Sequence, residues 1–146
     1  MRKLALSDDI LLKIEKPARY IGNEVNSVMK KKEDIDVRFA FVFPDVYAIG
    51  MSHLGIQILY DMLNRRDDVW CERVYSPWTD LDKIMREEGI PLFALESQDA
   101  IKDFDFMGYD IKRKESLSFH HLIVAKRYCK QQGLGEGYLM WNGAIL

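Results

Sequence analysis

Five consecutive apolar residues, Phe39-Ala40-Phe41-Val42-Phe43, constrain this chain more than any other stretch. The run is too short to span a bilayer, and it lacks the polar alternation of a strand with one wet face. A strand covered on both faces, as in a parallel sheet, accounts for it. Pro44 is expected to end the run, since it cannot donate to a ladder and biases Phe43 toward extended backbone. Gly50 and Gly55 bracket Met51-Ser52-His53-Leu54, and Ile56, Leu59, Tyr60 and Leu63 then recur at helical spacing. Arg38 to Asn64 therefore reads as strand, loop, helix. Ligands of open α/β sheets sit just past the carboxyl ends of the strands, so a site is expected in the loop Asp45 to Gly55.

The remaining pattern is consistent with that start. Leu4, Ile10, Leu11, Leu12 and Ile14 predict a short helix capped by Ser7 or Asp8. Pro17 and Gly22 interrupt the segment that follows, and Lys30-Lys31-Lys32-Glu33-Asp34 reads as a solvated loop. Val69 to Tyr75 predicts a second strand ending at Ser76-Pro77. Thr79 or Asp80 caps a helix with Leu81, Ile84 and Met85 on one face, and Gly89 stops it. Pro91 to Leu95 predicts a third strand and Phe104 to Tyr109 a fourth, with a turn between them. Strands alternating with helices indicate right-handed βαβ units. The expected fold is α/β, a three-layer parallel sheet of Rossmann or flavodoxin type. Residues 1–36 form a lead-in, 37–109 the sheet domain, and 110–146 an irregular tail without sustained period.

Composition narrows the function classes. The 146 residues suit one domain, and 48% hydrophobic content can supply a core. Net charge is −2, which offers no electrostatic case for nucleic acid. No apolar stretch approaches the roughly 20 residues of a membrane span, and the N-terminus lacks the apolar region of a signal peptide. A cytoplasmic location follows as the expectation, with Cys71 and Cys129 as free thiols.

No catalytic set and no metal-ligand spacing is legible. Gly133-Leu134-Gly135-Glu136-Gly137 matches neither dinucleotide nor P-loop spacing. His120 and His121 are adjacent and point apart on any regular element. His53 stands at the start of the first long helix, where a neutral imidazole suits the helix dipole, with or without a ligand. Asp45 reads equally as a ligand-contacting carboxylate or a loop-capping Asx residue. Tyr47, Trp70 and Trp78 are placed to stack on a planar ligand or, more simply, to pack.

Several blocks carry a resemblance beyond composition. They are Lys16-Pro17-Ala18-Arg19-Tyr20-Ile21-Gly22-Asn23-Glu24-Val25-Asn26, Phe43-Pro44-Asp45-Val46-Tyr47, Gly50 to Tyr60, Trp70-Cys71-Glu72-Arg73-Val74, Leu95-Glu96-Ser97 and Phe104-Asp105-Phe106. Together they resemble the N-terminal domain of cobalamin-binding-type radical S-adenosylmethionine (radical SAM) proteins, over about residues 10 to 109. The resemblance implies a Rossmann-like domain preceding a radical-chemistry barrel. It also implies cobalamin as a cofactor, contacted by Asp45, Tyr47, Gly50, Ser52, His53 and Gly55.

Two departures set the expected activity. The family's Cys-x3-Cys-x2-Cys motif, which holds a 4Fe-4S cluster that binds S-adenosylmethionine, does not occur here. Cluster and S-adenosylmethionine are therefore expected only in a full-length protein, with the barrel as partner in cis, and the chain alone is expected to be inactive. Ser52-His53-Leu54-Gly55 also lacks the Asp-x-His-x-x-Gly spacing of a cobalt-ligating histidine. Loss of pattern and resemblance after Tyr109 suggests a truncated or frame-shifted product. The alternatives are a stand-alone flavodoxin-like module for a nucleotide or flavin, and a non-functional fragment.

Overall fold

The computed structural model describes residues 4–109. Three parallel strands form the sheet: β1 (Val37–Val46), β2 (Val69–Ser76) and β3 (Phe106–Tyr109), in the order β2-β1-β3. Four α-helices accompany them: α1 (Asp8–Leu11), α2 (Tyr47–Gly50), α3 (Leu54–Asn64) and α4 (Thr79–Glu88). Phe39 pairs with Cys71 on one side and with Phe106 on the other. The α/β parallel sheet expected from the sequence is thus the fold.

The continuous apolar run makes sense because β1 is central. Alternate residues of a strand face opposite sides, and here both sides are covered. Ala40 and Val42 join Val74, Met107, Leu81 and Met85 in one core, together with Leu6, Ile10, Ile14 and Tyr20 from the N-terminal segment. Phe41 and Cys71 join Ile56 and Tyr60 of α3 in the other. The lead-in residues before β1 are therefore part of a hydrophobic layer.

Several elements differ from the sequence expectation. Pro44 does not end β1; the strand runs on to Val46, and the pairing with β2 slips between Phe43 and Val46. Proline is tolerated where a ladder is already interrupted. Pro91–Leu95 is not a strand of the sheet. It is a buried crossing segment held by one antiparallel bridge, Phe93 to Ala100, and by the Leu95 N–H on the Arg73 carbonyl at 2.8 Å. Its role is to cap the outer edge of β2, which would otherwise expose unpaired groups. The strand expected from Phe104 begins at Phe106 and becomes β3. The N-terminal helix shrinks to one turn, and α4 is preceded by Trp78 as its N-cap, with Thr79 already helical. Lys30 is not simply solvated: its ammonium donates to the Arg66 carbonyl and, at 2.5 Å, to that of Val69. His120, His121, Cys129, the Gly133–Gly137 stretch and the rest of residues 110–146 lie outside the described residues.

Candidate functional site

Beyond β1 the chain turns at the sheet's carboxyl end. The loop Asp45 to Gly55 contains the one-turn helix α2 and then the start of α3. Asp45 is half-buried, and its carboxylate accepts from the N–H of its own neighbour Val46 at 2.7 Å. Tyr47 donates to Glu24 and meets the Tyr75 ring edge-on, with centroids 5.4 Å apart at 83°. Gly50 is buried against the same ring. An added Cβ would lie 2.4 Å from Tyr75 Cε1 and 2.7 Å from Phe43 Cδ1, so no other residue fits without displacement. Ser52 is exposed and donates to the Ile49 carbonyl at 3.2 Å. His53 is the N-cap of α3 and rests its ring on Phe43, centroids 5.4 Å apart. Gly55 sits beside that imidazole, 3.3 Å from Cε1 to a built Cβ. The six residues expected at the site are therefore neighbours along one loop, but two of them, Tyr47 and Gly50, face inward onto Tyr75.

What lies behind them escaped the sequence reading. The Arg73 guanidinium pairs with Glu24 at 2.7 Å and with Glu96 at 2.6 Å, and Glu96 also accepts from the Arg73 N–H at 2.7 Å. The cation lies over the Tyr60 ring, 4.8 Å from its centroid. Burial pushes the Glu96 carboxyl up, with Arg73 pulling it the other way. Burial and the bond to Glu24 push the Tyr47 phenol up to about 12; burial does the same for Tyr75, also to about 12. A second cluster occupies the opposite face. Arg38 holds Glu72 at 2.6 Å and Asp99 at 2.9 Å, and Glu72 accepts from the Ser97 N–H at 2.8 Å. The legible signal was charge inside apolar runs: Glu72-Arg73 within β2, and Glu96 directly after Pro91–Leu95. Such residues are rarely buried unless paired.

These ion pairs tie together sequence blocks far apart in the chain. Glu24, Tyr47, Arg73 and Glu96 come from four different blocks that carry the resemblance noted above, and they converge at one end of β2. A small pocket there has Tyr20, Tyr75, Pro77, Leu92 and Phe93 as walls and Arg19 at its side, with room for little more than one water molecule. It lies apart from the Asp45–Gly55 loop, none of whose residues line it.

Among the described residues no group of three His, Cys, Asp or Glu side chains could hold a metal ion. Cys71 is buried and its thiol is pushed up by desolvation, which disfavours the thiolate a cluster needs. An iron–sulfur cluster does not fit these residues. The His53 ring lies tilted against Phe43, and the Asp45 carboxylate is engaged with the Val46 N–H of its own segment. No helix among the described residues is long and apolar enough to cross a membrane.

An α/β domain with a tightly packed loop at its strand ends, and no metal-ligand set among its described residues, is the class the geometry defines. The family model described as radical SAM proteins, N-terminal, matches residues 55–123, just under half of the chain. The match starts in the first turn of α3, runs through β2, α4 and β3, and continues past Tyr109. It supports a radical SAM N-terminal domain, which in full-length proteins implies a C-terminal catalytic domain in cis. No curated protein and no solved structure gives a significant match.

Proposed function

We propose that this chain serves as the N-terminal domain of a cytoplasmic radical SAM protein of the cobalamin-binding type. The observation that carries the reading is the family match over residues 55–123, on a parallel sheet whose strand-end loop holds Asp45, Tyr47, Gly50, Ser52, His53 and Gly55. Radical chemistry belongs to the catalytic domain in cis, with its 4Fe-4S cluster and S-adenosylmethionine, and the isolated chain is inactive. What this chain's own residues do is bind and orient. Arg73 and Glu96 lock β2 to the 91–100 segment, and Glu24 ties Tyr47 to Arg73, so the loop above them is held in one shape.

A corrinoid would rest on this loop by shape, without a protein ligand to cobalt. Titration of the purified chain with cobalamin tests the reading. A saturable change in the visible spectrum is expected, and it persists in His53→Ala because that imidazole does not ligate the metal. An unchanged spectrum at high cobalamin removes corrinoid binding from the proposal. A nucleotide or flavin co-purifying in native mass spectra would favour a stand-alone flavodoxin-like module instead.

A further inference from the structure

The two long helices turn different faces outward. Every exposed residue of α4 is polar: Thr79, Lys83, Arg86, Glu87 and Glu88. On α3 the exposed residues include Leu54, Ile58 and Met62, which are 68%, 49% and 58% exposed. Their spacing of four residues makes one ridge along the helix. Ile56 and Tyr60, each two positions from Ile58 and so about half a turn round, fill the core instead. Apolar residues therefore occupy opposite sides of α3, the pattern of a helix covered twice. The described residues cover it once.

The apolar surface continues past the start of α3. The Gln57 amide donates to the Met51 carbonyl at 2.7 Å, which holds the exposed Met51 beside the first turns of the helix, and Ile49 is exposed two residues earlier. At these exposures the five side chains present on the order of 100 Å² each, about 500 Å² together. That is already large for an apolar patch on a lone monomer. A two-fold pair doubles it to about 1,000 Å², the area at which specific association begins.

Charge and symmetry select the occupant. Asp61 and Arg65, beside the ridge, already pair with each other at 2.7 Å, so a covering surface has no counter-ion to supply. The ridge also matches itself. Leu54 and Met62 lie four residues either side of Ile58, so a two-fold axis at Ile58 sets Leu54 of each copy against Met62 of the other.

We propose that the outer face of α3 is a homodimer interface, on which the Leu54-Ile58-Met62 ridge packs antiparallel against the same ridge of a second copy. The dimer stands apart from whether a corrinoid binds.

Sedimentation equilibrium of the full chain, at micromolar to sub-millimolar concentration, tests this. Reversible monomer–dimer association is expected. Ile58→Glu sets two carboxylates opposite each other at the axis and is expected to weaken association by about tenfold or more. Its far-ultraviolet circular dichroism is expected to stay unchanged, because position 58 faces outward in the monomer. Ile58→Cys reports on orientation without adding charge: on oxidation, peptide mapping is expected to find position 58 linked to position 58 of a second copy. A chain that stays monomeric at every concentration overturns the proposal, as does a dimer that folded Ile58→Glu leaves intact or an oxidised Ile58→Cys chain without the 58-to-58 link. A disulfide from position 58 to Cys129 of the same chain overturns it too, and assigns the ridge to the residues after Tyr109.

Discussion

At Gly50 the backbone lies so close to Tyr75 and Phe43 that a Cβ would overlap both rings. Gly89 is different: its surroundings are open, but its φ of +69° is the left-handed geometry that ends α4. Alanine at either site should destabilise, by about 1–3 kcal/mol at Gly50 through overpacking and about 1–2 kcal/mol at Gly89 through backbone strain. Urea denaturation of the two variants measures this, and only Gly50→Ala should also perturb the Tyr75 environment in near-ultraviolet circular dichroism. Arg73 is the costlier position. Arg73→Met leaves the fully buried Glu96 without its cation, an expected loss of about 3–5 kcal/mol. Adding Glu96→Gln should recover part of that loss in the same denaturation assay. A double variant no more stable than Arg73→Met would show that the pair is not what the fold depends on.

Among the elements, the N-terminal turn α1 shows how little regular structure a segment needs to matter. It is only four residues long, yet Leu6, Ile10 and Ile14 around it fill the layer beneath Ala40, Val42 and Val74. Ile10→Ala should cost about 2–5 kcal/mol, measurable as a lowered denaturation midpoint; a loss below half a kilocalorie would mean the segment does not pack. The periodicity of Ile56, Leu59, Tyr60 and Leu63 made α3 legible, as did Leu81, Ile84, Met85 and Gly89 for α4. Pro91–Leu95 was misleading because a buried crossing segment and a short strand share the same apolar composition. Only pairing partners separate them, and these lie elsewhere in the chain: Arg73 and Ala100.

For the molecule as a whole, the end of β2 is built of phenols and ion pairs, and this sets its response to pH. Tyr47 and Tyr75 ionise at 10.0 when unfolded but only at about 12 in the fold. Their folded values are raised, so the stability they contribute is fully present below pH 10.0 and is lost as pH rises through about 12. Tyrosinate absorbance and far-ultraviolet circular dichroism recorded across that window should change together. Ionisation of every tyrosine near its ordinary value, with the fold intact, would contradict the burial of these two groups.

The sequence by itself determined that β1 is buried on both sides, that strands and helices alternate, and that the chain turns between the first strand and the helix that starts near Gly55, although β1 keeps Asp45 and Val46. Local patterning suffices for these, because apolar period and glycine or proline placement act within a few residues. Tertiary structure alone decided that Tyr47 and Gly50 face inward to Tyr75, that Pro91–Leu95 caps an edge, and that Glu24, Arg73 and Glu96 meet. A buried charge is tolerated only where its partner arrives, and those partners come from positions 23 to 49 residues away along the chain. The loop that first marked a ligand site is thus one wall of a charged, aromatic cluster at the end of β2, and no reading of the loop alone contains the other wall.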